Sequence, residues 1–131
     1  MDELAIGEGD LRQLIICIPH LPYPELSPNS REHWAVKARA VRASREEVGW
    51  LAKAQWQDQK PMKRARISYE FHTIDKRRRD LDNFNCKPFQ DGLVDANVLL
   101  DDDAKHLEIG SVKVISGNVE QTVIRIEELL G

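Results

Sequence analysis

Only two cysteines, Cys17 and Cys86, occur in this chain, and they share no C-x-x-C spacing. That excludes a disulfide framework and a cysteine-built zinc site, and it fits a reducing, cytoplasmic setting. No apolar stretch approaches the ~18 residues needed to span a bilayer, so no membrane partner is expected. The sequence also lacks a G-x-x-x-x-G-K-[ST] loop, a G-x-S-x-G elbow and an H-E-x-x-H pair, leaving nucleotide hydrolysis of the P-loop kind, serine catalysis and zinc proteolysis without support. The opening MDELAIGEGD has no basic region followed by an apolar run and does not read as a secretory signal. Residues 1–10 are expected to be a loose leader and 11–131 a single domain, since 131 residues with 41% hydrophobic and 31% charged side chains suit one core.

Negative charge dominates overall, at −3, but it is unevenly spread. Residues 31–79 hold 14 of the 19 Lys and Arg against 6 of the 22 acids, a local charge of +8, while the remainder carries −11. Such asymmetry allows a basic face for a phosphate backbone beside an acidic site partly neutralised by a bound metal. Cations scattered for solubility over an amphipathic helix account for part of the same pattern.

The pattern of elements is alternating and free of repeats. Leu14-Ile15-Ile16-Cys17-Ile18 predicts a short buried strand stopped by Pro19, and the prolines at 19, 22, 24 and 28 predict an extended loop. Asn29 with Glu32 three residues later resembles a capping box, so a helix is expected from there to about Gln55, with Trp34, Ala38, Val41, Val48 and Ala52 facing the core. Alternation from Ala65 to His72 predicts a half-buried strand. Phe89, Leu93 and Ala96 predict a second helix starting near Lys87, with Pro88 in its first turn. Two further strands, 106–116 and 119–127, are expected to pair through a tight Gly117-Asn118 turn. The fold class is therefore α+β or mixed α/β, with four or five strands and two helices.

The densest chemistry lies between residues 75 and 103, DKRRRDLDNFNCKPFQDGLVDANVLLDDD. Clustered carboxylates repel one another and are kept together mainly where a divalent cation or a strong cationic partner neutralises them. In an extended segment Asp80 and Asp82 would point to one side, so that both carboxylates could reach one metal. Of Asp101, Asp102 and Asp103, the last has a ready duty as a cap or turn residue, which leaves Asp101 or Asp102 to face a cation. An EF-hand starting at Asp80 fails, because Phe84 and Asn85 occupy positions that need an oxygen ligand and a glycine. Arg77, Arg78 and Arg79 read as anchors for a phosphate backbone or as simple counter-charges to the neighbouring aspartates.

Arg77-Arg78-Arg79-Asp80-Leu81-Asp82-Asn83, then Lys87, Phe89 and Asp91, then Leu100-Asp101-Asp102, resembles the RusA family of Holliday-junction resolvases. These are small endodeoxyribonucleases frequent in bacteria and their prophages. The likeness is most specific over residues 75–103 and extends more loosely to the whole chain, including Pro28-Asn29 before the first helix and the terminal hairpin after Asp102. It implies a RusA-like homodimer with a mixed sheet and two helices that cuts four-way DNA junctions with Mg²⁺, or Mn²⁺ in its place, in recombination and repair. It further implies Asp80, Asp82 and Asp102 as the metal-binding catalytic carboxylates, Lys87 as the catalytic lysine and Asn29 as a DNA contact. Two other readings compete with it: a non-catalytic protein that binds branched DNA, and a metal-dependent phosphohydrolase of small nucleotides, which would not need the basic segment.

Overall fold

The computed structural model describes residues 11–27, 30–75 and 84–130. The expected leader, Asn29, the Arg77 to Arg79 run, Asp80 and Asp82 lie outside the described residues. Those described form an α+β domain: β1 (Gln13–Ile18), a short 3-10 turn (Pro24–Leu26), α1 (Trp34–Trp56), β2 (Ala65–Thr73), α2 (Lys87–Asp95), β3 (Leu107–Ser116) and β4 (Gln121–Glu128). Among them is one mixed sheet of four strands in the order β1-β4-β2-β3. Strand β4 runs antiparallel to both neighbours, and β2 and β3 run parallel.

Period-two alternation sets the sheet's inner face. Three cross-strand rows run over β1, β4 and β2: Leu14, Ile126 and Ile67; Ile16, Ile124 and Tyr69; Ile18, Thr122 and Phe71. Thr122, the one aliphatic hydroxyl in these rows, donates from Oγ1 to the His20 carbonyl at 2.8 Å, so its burial leaves no unmet donor. Val48, Ala52 and Trp56 of α1 and Phe89 and Leu93 of α2 belong to the same core. The helices cross where Gly92 faces Arg45 and Val48, and a Cβ on Gly92 would stand 2.6 Å from the Arg45 carbonyl oxygen. Only glycine allows this approach.

Three expectations are corrected. Strands β3 and β4 are not a hairpin: β2 lies between them, and residues 117–120 carry the chain over its end, with the Gly117 amide donating to the Thr73 carbonyl at 2.8 Å. Strand β1 is a sheet edge rather than fully buried, and Ile15 and Cys17 are exposed. Helix α1 starts at Trp34, where His33 Nδ1 accepts from the Ala35 amide at 3.1 Å, in place of an Asn29 capping box. Its core row is Ala40, Ser44, Val48, Ala52 and Trp56, a strict i+4 series. Trp34, Ala38 and Val41 are exposed, because the first turns of the helix extend beyond the core. Strand β2 and helix α2 lie where the sequence predicts them.

Candidate functional site

Helix α2 delivers Lys87 at its first position, followed by Pro88, whose missing amide costs nothing there. The Lys87 amide donates to Asn85 Oδ1 at 3.1 Å, which fixes the entry to the helix. A cation in this first turn is opposed by the helix dipole. Two carboxylates offset that: Asp91, one turn on, lies 3.0 Å from Lys87 Nζ, and Asp102 Oδ2 accepts a hydrogen bond from the same ammonium. The Lys87 side chain is 59% exposed and that of Asp102 16%, so the pair sits at the surface with its acid more sheltered than its base. The bond from Lys87 holds the Asp102 carboxyl below the usual carboxylate range, and Asp102, then Asp91, raise the Lys87 ammonium above its own.

The loop carrying Asp102 is pinned at both ends. Met62 and Leu99 form a parallel bridge, the Leu100 amide donates to the Met62 carbonyl at 3.1 Å, and the Ala65 amide donates to the His106 carbonyl at 2.9 Å. Within it the three aspartates have separate roles. Asp101 Oδ1 accepts the Asp102 amide at 2.7 Å. Asp103 Oδ1 accepts the amides of Lys105 and His106 at 3.1 and 3.2 Å, the turn duty expected from the sequence. Asp102 alone of the three meets Lys87. Asp101, Asp103 and His106 bring one ligand atom each within 4.8 Å of one another. His106 Nδ1 lies 2.5 Å from Asp103 Oδ1, and this bond keeps the Asp103 carboxyl below its usual range. With two carboxylates and an imidazole that group offers a mixed donor set, whereas the carboxylates of Asp91 and Asp102 both meet the Lys87 ammonium.

Phe84 re-enters the described chain with its ring stacked on Phe71 of β2, centroids 4.2 Å apart, three residues before Lys87. Asp75, at the other end of residues 76–83, has its carbonyl bonded by Thr73 Oγ1 at 3.0 Å and Ser116 Oγ at 3.2 Å. Of the expected catalytic set, the structure thus brings together Lys87 and Asp102. Asp91 joins them, a residue that the i,i+4 spacing from Lys87 signals but that sequence reasoning left without a role. Cys86 is adjacent, but burial pushes its thiol up to about 12, so it is protonated near neutral pH and is no nucleophile.

No protein-family model matches this chain, and no curated protein matches it in sequence. Among the described residues no helix is long and apolar enough to cross a membrane.

Proposed function

We propose that this protein is a RusA-like, metal-dependent endodeoxyribonuclease that resolves Holliday junctions and other branched DNA, with its active centre at the N-terminal end of α2. The observation that supports this best is the convergence of the Lys87 ammonium with Asp91 and Asp102. Folding alone would favour an acidic or neutral residue at the start of a helix. A lysine kept there, matched by carboxylates and accessible from solvent, suits a phosphate that arrives from outside.

Asp80, Asp82 and Asp102 are the carboxylates that would hold the ion. A bound Mg²⁺, or Mn²⁺ in its place, supplies Lewis-acid polarisation of the scissile phosphate and acidifies a coordinated water. Lys87, oriented by Asp102, places positive charge where the phosphate oxygens gain negative charge. Arg77, Arg78, Arg79 and Asn29, with the wider +8 stretch of residues 31–79, would anchor the DNA backbone. Resolving a junction needs two symmetric cuts, so the working unit is a homodimer whose two-fold axis matches that of the substrate.

Cleavage of an end-labelled four-way junction with Mg²⁺, beside a matched linear duplex and a chelator control, tests the reading. Paired nicks confined to the junction are expected. Tight junction binding without cutting in Mg²⁺ or Mn²⁺, across several junction sequences, would favour the non-catalytic binding protein instead.

A further inference from the structure

Trp50, near the C-terminal end of α1, is 76% exposed. A large indole in a solvent-facing helical position gains nothing from burial, and Ala, Lys or Leu would favour the helix more. It lines a groove of about 440 Å³ between α1 and the C-terminal end of α2, together with Arg45, Glu46, Gly49, Lys53 and Asp95. That is within the size range of small-ligand pockets, ~300–1,000 Å³.

Charge decides what the groove accepts. Arg39, Ala43, Glu46, Trp50 and Lys53 recur three and four residues apart and so form one stripe along α1, with Arg42 and Arg45 beside it. Arg45 is held by Asp95 through two bonds of 2.5 and 2.8 Å, which cancels that acid and braces the groove wall. Among the described residues Arg39, Arg42 and Lys53 form no ion pair, and Glu46 is the one unneutralised acid of the stripe. A lone indole offers at most ~250 Å² of contact, far below the ~800 Å² per partner of a stable protein interface. An exposed aromatic face with an unpaired lysine one turn on, and two unpaired arginines further up the same helix, instead has elements of a stacking platform for nucleic-acid bases.

We propose that this groove binds an unpaired nucleotide of a DNA strand, its base stacked on Trp50 and its phosphate on Lys53. Lys53 is three residues from Trp50, which puts the two side chains side by side on the helix. Lys87 and Asp95 mark opposite ends of α2, about 12 Å apart along its axis, or three to four base steps at 3.4 Å each. The groove would therefore hold a strand a few nucleotides from the phosphate at Lys87, where a flap or an opened crossover presents unpaired bases that a continuous duplex does not. This inference rests on the DNA reading above but not on catalysis.

The experiment is an anisotropy titration, with chelator present, of a labelled oligo(dT) strand and a labelled four-way junction. Wild type, Trp50→Ala, Trp50→Phe, Lys53→Ala and Glu46→Gln are compared, each checked for an unchanged thermal melt. Trp50→Ala is expected to weaken oligo(dT) binding by roughly fivefold or more, while Trp50→Phe keeps most of it. Lys53→Ala should lower the salt slope by about one, and Glu46→Gln should tighten binding. Unchanged affinity in Trp50→Ala, with the wild type binding DNA, overturns the groove and leaves the nuclease reading standing. A wild type that binds neither DNA at low salt overturns both. Self-association that depends on Trp50, with no effect on DNA, assigns the groove to a second copy of the chain and overturns the inference.

Discussion

Lys87 in the first turn of α2 donates a hydrogen bond to Asp102, fifteen residues further along on the loop that leads into β3. The pair joins two separately built elements: α2, set by Pro88 and by packing on α1, and a loop pinned through Met62 and Leu100. Neither needs the ion pair to reach its place. A Lys87→Gln substitution is therefore expected to leave the fold intact, lower single-turnover junction cleavage by roughly 10²-fold and change junction affinity far less. Equal turnover would remove Lys87 from the catalytic machinery.

Gly92 fixes how closely the helices approach. In Gly92→Ala the new methyl meets the Arg45 carbonyl oxygen at 2.6 Å and Val48 Cβ at 3.2 Å, and backbone cannot swing aside as a flexible side chain can. A loss of about 1–3 kcal/mol in urea unfolding is expected. Because α2 carries Lys87, cleavage should fall in the same variant.

Helix α2 ends in a Schellman arrangement. The Val98 and Asn97 amides donate to the Leu93 and Val94 carbonyls, both at 3.0 Å, and Asn97 takes φ 62°. Asn97→Gly should keep stability within about 0.5 kcal/mol, whereas Asn97→Val should cost ~1–2 kcal/mol in the same unfolding measurement, because a β-branched side chain clashes in the left-handed region.

Glu128 is 7% exposed and receives the Arg12 guanidinium at 3.0 and 2.7 Å, besides the Arg12 amide at 3.1 Å. These bonds hold its carboxyl below the ordinary glutamate range. The unfolded chain then takes up the proton first as acid is added. The stabilisation is complete above the unfolded value of ~4.3 and disappears as pH falls through the lower folded value. Urea midpoints of the wild type should decline over that interval more steeply than those of Glu128→Gln. Parallel curves would contradict this assignment.

Much of the fold was legible because local signals agreed with tertiary ones. Ala65, Ile67, Tyr69 and Phe71 alternate and are all buried in β2, and Pro88 beside Lys87 marks the start of α2. The pairing of the last two strands was not legible. Gly117-Asn118 is a sound turn signal, but a turn does not reveal that β2 already occupies the place between β3 and β4. On α1 the apolar residues fit two helical faces, and the core row passes through Ser44, a polar residue that no hydrophobic pattern selects. At the site, the duty of Asp103 followed from residue type, whereas the meeting of Lys87 with Asp102 depends on where Met62 pins the second loop. Trp50 went unnoticed because exposure, and not identity, is what makes an indole informative.

Single-turnover cleavage of a four-way junction as Mg²⁺ is titrated, comparing wild type with Asp102→Asn, tests the central claim most directly. Paired nicks that depend on the metal, and a variant slowed by orders of magnitude while still binding the junction, are expected if Asp102 helps hold the ion. An Asp102→Asn protein that cuts as fast as the wild type at every Mg²⁺ concentration would contradict it.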